Sequence, residues 1–225
     1  MSSETSARPS YVVTRAAPAG LDDPAWDAIP ALTVGSFHPR SSAHRPPVTA
    51  RLAHDGAQLH VRFDVDDRWV LARRTGYQVM VCNDACVEIF LEPVPGRGYL
   101  NVEMNAGGAI LCYHITDPAR RPGGFAAFAK LSEDELRQIA IATSLPHVVD
   151  PEIADPVSWR LSASIPFDLM AARIGAPVAA TGTWRANLFK CADESSHPHW
   201  ASWSPIGEPL NFHQPDRFGE LRFAP

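Results

Sequence analysis

Two successive runs of this chain, Asp84-Ala-Cys-Val-Glu-Ile-Phe-Leu-Glu92 and Tyr99-Leu-Asn-Val-Glu-Met-Asn105, carry acids and amides at alternate positions. In an extended strand successive side chains point to opposite faces, so each run has one apolar and one polar face. Val87, Ile89 and Leu91 share a face, as do Leu100, Val102 and Met104. The opposite face presents Glu88 and Phe90, then Tyr99, Asn101, Glu103 and Asn105. Solvated strands usually carry Lys, Thr and mixed charge instead. A surface of carboxylates and amides suits a polyhydroxylated ligand, whose hydroxyls donate to the one and accept from the other. A second chemistry is open to the same residues. Glu88 and Glu103, if opposed across a sheet, have about the separation of the carboxylate pair of a retaining glycoside hydrolase.

A two-residue hairpin at Gly107-Gly108 would set Glu103 opposite Cys112 and Asn101 opposite His114, bringing that cysteine and histidine onto the polar face. Across the turn at 93–98, one register puts Glu88 opposite Glu103 and its neighbour puts it opposite Asn101. Like charges directly opposed on a sheet repel, so a compensating group is expected. Arg185 shares a strand face with Asn187 in Trp184-Arg-Ala-Asn-Leu-Phe-Lys190 and can lie over the carboxylates. There its guanidinium either closes the fold as an ion pair or grips ligand oxygens.

Among the six tryptophans, Trp26, Trp159 and Trp184 alternate with core residues and read as buried. Trp69 follows Asp64-Val-Asp-Asp67 at a strand end. Trp200 and Trp203 lie in the loop-like His197-Pro-His-Trp-Ala-Ser-Trp-Ser-Pro205, where His199 also joins the candidate site. Trp200 fits either core or rim, whereas Trp69 and Trp203 are expected to offer a flat ring to a pyranose. In a haem or metal reading the side chains to suspect are Met104, His114, His197 and His199. Asp64, Asp66 and Asp67 are the oxygen donors available to calcium.

These residues need strands to hold them. Val48 to His54 and Gln58 to Val65 alternate around Asp55-Gly56, a hairpin signal. Ala109 to Ile115, Ile139 to Ser144, Val157 to Ile165, Thr183 to Lys190 and Gly219 to Phe223 read as further strands, and Pro118 to Gly124 as loop. Asp22 to Trp26 resembles a helix start or turn, Leu131 to Ile139 a short helix with Ser132 as cap, and Pro166 to Ala171 a helical turn. The pattern is an all-β sandwich or jelly roll, mainly antiparallel, with one or two short helices. Residues 1–10 read as a disordered tail and residues 11–225 as one domain.

The 225 residues are 45% hydrophobic and 20% charged, which is globular composition. A net charge of -5 without any Lys/Arg block argues against nucleic acid. No apolar run approaches membrane-spanning length. The N-terminus Met-Ser-Ser-Glu-Thr-Ser-Ala-Arg-Pro lacks the parts of a secretory signal, which points to the cytoplasm. Four cysteines are too few for a disulfide scaffold, and Cys82 and Cys86 would sit roughly 13 Å apart in one strand at about 3.3 Å per residue. Free thiols are expected, and no Gly-x-Ser-x-Gly nucleophile motif is present.

Six segments together resemble the family 9 carbohydrate-binding modules, especially their stand-alone bacterial relatives, over roughly residues 20–225. They are Asp66-Asp-Arg-Trp-Val70, Asp84-Ala-Cys-Val-Glu-Ile-Phe90, Tyr99-Leu-Asn-Val-Glu-Met-Asn105, Trp184-Arg-Ala-Asn-Leu-Phe-Lys-Cys191, Ser196-His-Pro-His-Trp-Ala-Ser-Trp-Ser-Pro205 and Phe218-Gly-Glu-Leu-Arg-Phe223. The resemblance implies a β-sandwich that binds sugars, often at the reducing ends of plant-polysaccharide fragments, with calcium in some members. It further implies a sugar held between two tryptophans and backed by a glutamate, an arginine and an asparagine. Glu88 matches the glutamate, and the strand Asn101 to Asn105 matches the one that supplies polar contacts. The first tryptophan normally stands just before the Asp-x-x-Val-Glu strand, where this chain has Val81 and Cys82; either Trp69 or Tyr77 replaces it or the site is one-sided.

Overall fold

The computed structural model describes residues 8–225. The expected tail lies outside the described residues up to position 7, and from Ser10 the chain is already paired strand. The strands are β1 (Ser10–Arg15), β2 (Leu32–Thr33), β3 (Ser36–Phe37), β4 (Val48–His54), β5 (Gln58–Asp67), β6 (Val70–Ala72), β7 (Cys86–Glu92) and β8 (Tyr99–Asn105). After them come β9 (Ile110–Arg121), β10 (Gly124–Lys130), β11 (Ala140–Thr143), β12 (Val149–Ile153), β13 (Val157–Pro166), β14 (Thr183–Cys191), β15 (Trp200–Ser202) and β16 (Gly219–Phe223). Two short helices, α1 (Glu133–Leu136) and α2 (Phe167–Ile174), interrupt them. Ser132 caps α1 in a reciprocal capping box with Glu135, as the Ser-x-x-Glu spacing predicts.

Two layers result. One has the order β10-β9-β8-β7-β14-β16, and the other β4-β5-β13-β11. β1 joins them, pairing in parallel with β16 through Ser10 to Val13 and with β4 through Thr14 and Arg15. The ladders within each layer are antiparallel, and β15 adds to β14 with Trp200 opposite Cys191. Each layer turns its alternating apolar face inward. Val87, Ile89 and Leu91 with Val102 and Leu188 meet Leu52, Val61, Phe63 and Leu161 in one core. Trp26, Trp159 and Trp184 are buried as expected.

One end of this core is polar. Lys190, wholly buried on the inner face of β14, places Nζ 3.5 Å from Asp67 Oδ2 on β5 and 2.8 Å from His199 Nε2. Asp67 also accepts from Trp159 Nε1 at 3.1 Å and lies 2.7 Å from His44 Nε2. Burial alone would raise the Asp67 carboxyl, but Lys190 and the His44 contact hold it well below the usual carboxylate range. This pair ties the two layers together.

Two sequence expectations give way here. Residues 118–124 are not simply loop, because β9 runs to Arg121 and β10 begins at Gly124, forming a long hairpin. The turn after β8 is also one residue wider than a Gly107-Gly108 hairpin. Asn105 closes it, with Oδ1 accepting from Gly107 N and Ala109 N and its own N–H donating to the Ala109 carbonyl. That sets Asn101 opposite Tyr113, Val102 opposite Cys112 and Glu103 opposite Leu111. A one-residue shift flips a strand's faces, so Cys112 joins the core while Leu111 and Tyr113 join the polar face.

Candidate functional site

The outer face of the first layer carries a cleft of about 570 Å³. Its floor is Glu88 on β7 with Asn101 and Glu103 on β8. Glu88 stands directly opposite Glu103, the first of the two registers expected. Tyr113 on β9 and Phe125 and Phe128 on β10 form one flank. Trp200 on β15 and Phe212 form the other, beyond Cys191 on β14. In sheet order, therefore, rings stand on both sides of a strip of carboxylates and amide.

The floor is held by few bonds. Asn101 Nδ2 donates to Glu103 Oε1 at 2.7 Å, while its Oδ1 accepts from Tyr113 N at 2.7 Å, which fixes the amide's orientation. Cys191 Sγ donates to Glu88 Oε1 at 3.2 Å. The second oxygen of each glutamate has no protein partner among the described residues. Burial is the main reason that both carboxyls are pushed up, with Glu103 reaching about 7. Each is 2% and 6% exposed, respectively, so the shift has a structural basis. At the rim Trp200 Nε1 donates to Asp193 Oδ1 at 2.6 Å, pinning the edge of the indole. Burial raises the Asp193 carboxyl as well. Arg40, Arg120 and Lys130 bring positive charge to the rim.

The other sequence candidates lie elsewhere. Asn105 is buried, donating to the Arg74 carbonyl and to Asp84 Oδ2, at 2.8 Å each. Asn187 is equally buried and holds Ser204 through its backbone N–H and carbonyl. Arg185 shares the outer face but stands opposite Glu92, with its guanidinium 3.9 Å from that carboxylate and donating to the Pro215 carbonyl. It does not cover Glu88, whose partner on β14 is Phe189. His199 belongs to the Lys190 cluster between the layers. Trp69 stacks on His197 at 3.5 Å between ring centroids, away from the cleft. Trp203 lies over Gly219, where a Cβ would come within 2.6 Å of the indole.

Of the metal and haem side chains, Asp67 and His199 come together beside His44 at the Lys190 ammonium, and the others do not converge. Asp64 is paired with Arg51 and Arg62, Asp66 accepts from Ser158, and Asp67 points to the opposite face of β5. Three carboxylates so engaged do not fit a calcium ion, which needs its oxygens turned to one centre. Met104 is in the core, His114 Nε2 contacts the Arg97 carbonyl, and His197 is stacked on Trp69.

Sequence reading missed Tyr113, Phe125, Phe128, Asp193 and Phe212. Gly123-Gly124 was the available signal for the two β10 rings, since paired glycines before Phe-Ala-Ala-Phe suit a hairpin turn. Gly124 has φ +144, and a Cβ there would meet the Phe128 ring at 2.9 Å.

A model of carbohydrate-binding family 9 matches residues 24–223. The chain belongs to carbohydrate-binding family 9. Among solved structures, a candidate carbohydrate-binding protein from Bacteroides uniformis ATCC 8492 is 28% identical, with a TM-score of 0.82 over 97% of this chain and 100% of that one. A family 9 module from Caldicellulosiruptor kristjanssonii, solved with glucose, is 17% identical with a TM-score of 0.63 over 96% of each chain. The cellotriose complex of a family 9 module from the same organism gives 17% identity and a TM-score of 0.62, over 96% of this chain and 93% of that one. These last two show the same sandwich fold. No curated protein matches the chain.

Proposed function

We propose that the cleft binds a mono- or short oligosaccharide without chemically altering it. The observation that carries this reading is the strip of Glu88, Asn101 and Glu103 flanked on both sides by aromatic rings. Sugar hydroxyls meet the carboxyls and the amide, and the apolar face of a pyranose packs on Trp200 or Tyr113. The cleft volume, 570 Å³, falls within the range of about 300–1,000 Å³ typical of small-ligand sites. Family 9 membership and the glucose and cellotriose complexes of the Caldicellulosiruptor modules support the same ligand class. In this reading Glu88, Asn101 and Glu103 contact the ligand directly. Asn105, Asn187, Arg185 and His199 instead brace the strands around it.

Glycoside hydrolysis by Glu88 and Glu103 is the second reading, and it requires one carboxyl ionised as nucleophile beside the other protonated as acid. A sugar of about a dozen heavy atoms at roughly 0.3–0.5 kcal/mol each gives millimolar to tens-of-micromolar affinity. The test is a glycan panel followed by calorimetric titration of wild type and Asn101→Ala. Binding in that range, weakened about tenfold or more by the substitution, is expected. Binding to no glycan, or equal binding by both proteins, overturns the proposal.

A further inference from the structure

We infer that Cys86, Glu88 and Cys191 form a binding site for a thiophilic divalent cation, best matched by Zn2+, at the floor of the cleft. One ligand atom from each residue, two Sγ and a carboxylate oxygen, lies within 4.8 Å of the others. The backbone fixes this arrangement. Cys86 stands directly opposite Cys191 across β7 and β14, and Glu88 follows two residues after Cys86 on the same face. Cys191 Sγ lies 3.2 Å from Glu88 Oε1 and Cys86 Sγ lies 4.0 Å from it. A tetrahedral zinc ion, with Zn–S of about 2.3 Å and Zn–O of about 2.1 Å, spaces its ligand atoms roughly 3.6–3.8 Å apart. The two sulfur–oxygen separations bracket that spacing, and the two Sγ atoms lie within 4.8 Å of each other.

The acids gather at the floor of the cleft, below the rim where Arg40, Arg120 and Lys130 stand. Glu103 and Asp193 add two more acids around the three donors, and the Lys190 ammonium is turned to the opposite face of β14 toward Asp67. Glu88 is 2% exposed and lines the cleft, with Oε2 unpartnered among the described residues. Buried carboxylates and thiolates need a positive partner, or else they keep their protons. A divalent ion displaces the two thiol protons, together with the Glu88 proton when that carboxyl carries one, and leaves the complex with one net negative charge. Paired thiolates select a zinc-like ion over calcium or magnesium. Glu88 and Cys191 both line the cleft, so the fourth position opens to water or a ligand oxygen. Cys112 shows what a merely packed thiol looks like: it sits in the core, and among the described residues its only contact of this kind is the Tyr113 carbonyl at 4.0 Å.

The site shares Glu88 with the proposed sugar site but is tested without sugar, by titrating the full metal-free chain with Co2+ under reducing conditions. A saturable 1:1 complex with a near-ultraviolet thiolate-to-cobalt band, displaced by equimolar Zn2+, is expected. Cys86→Ser and Cys191→Ser should each remove about half of the band and weaken binding about tenfold or more, while Cys112→Ser leaves both unchanged. Should a serine variant fail to fold, Glu88→Gln serves in its place: the band persists and affinity falls about tenfold. No band at saturating cobalt, or one undiminished in Cys86→Ser and Cys191→Ser, overturns the proposal. Sugar titration of the metal-free chain keeps the two readings separate. Sugar binding without cobalt binding removes only the metal site, and cobalt binding without sugar binding removes only the sugar reading.

Discussion

Glu88 and Glu103 stand directly opposite each other on β7 and β8, both buried, and their protein hydrogen bonds come from a thiol and an amide rather than a basic side chain. Folding therefore brings together two like charges that water would otherwise solvate. The arrangement costs stability, and the cost depends on pH.

Glu103 has a folded-state pKa of about 7 against an ordinary 4.5, raised chiefly by burial. For an acid raised on folding, the stabilising contribution is complete below the unfolded value and disappears as pH climbs through the folded one. Glu103→Gln keeps the acceptor for Asn101 but cannot ionise. Denaturant unfolding should show the variant gaining about 3 kcal/mol relative to wild type between pH 4.5 and 8. A constant difference across that range would show that Glu103 is solvated.

Lys190 faces the opposite layer, and removing its charge should act on stability alone. Lys190→Met leaves Asp67 buried without its ammonium, which costs about 3–5 kcal/mol in unfolding experiments. A loss below about 1 kcal/mol would mean that the pair is dispensable to the layer contact.

His199 donates from Nδ1 to the His197 carbonyl in the tautomer that lets Nε2 accept from Lys190. Burial, reinforced by the Lys190 charge, lowers its pKa to about 3. A base depressed on folding contributes stability that is intact above about 6.5 and fades as pH falls toward 3. Ring chemical shifts should show His199 neutral at pH 5 in wild type and titrating at higher pH in Lys190→Met. Protonation near 6.5 in wild type would contradict the buried geometry.

The two neighbouring tryptophans should separate by role. Trp203 packs over Gly219 and against the main core, so Trp203→Ala should lose about 2 kcal/mol of stability and keep its ligand affinity. Trp200 stands at the cleft flank with its indole N–H held by Asp193, so Trp200→Ala should weaken sugar binding about tenfold or more at little cost in stability. The reverse pattern would move the site to the other side of β15.

Much of the sandwich was legible because strand period alone separates Val87, Ile89 and Leu91 from Glu88 and Phe90, and Asp55-Gly56 marks its own hairpin. The carboxylate-amide floor followed from the same alternation. Its surroundings did not, because they depend on register and sheet order. The extra residue in the turn closed by Asn105 exchanged Cys112 and His114 for Leu111 and Tyr113. Trp200 and Trp203 differ by three positions and resemble each other in composition, yet only the pairing of Trp200 with Cys191 reveals which one reaches the cleft. The juxtaposition of Cys86 and Cys191, more than a hundred residues apart, likewise required knowing that β7 and β14 are neighbours. Asn105 and Asn187 looked free to bind because a sequence does not display the backbone groups they hold.

A crystal structure of the protein soaked with cellotriose is the most direct check on the cleft as a sugar site. The sugar should lie on Glu88, Asn101 and Glu103, with a pyranose face against Trp200 or Tyr113. A sugar ordered elsewhere, such as beside Trp69 and His197, with the cleft empty, would contradict the account.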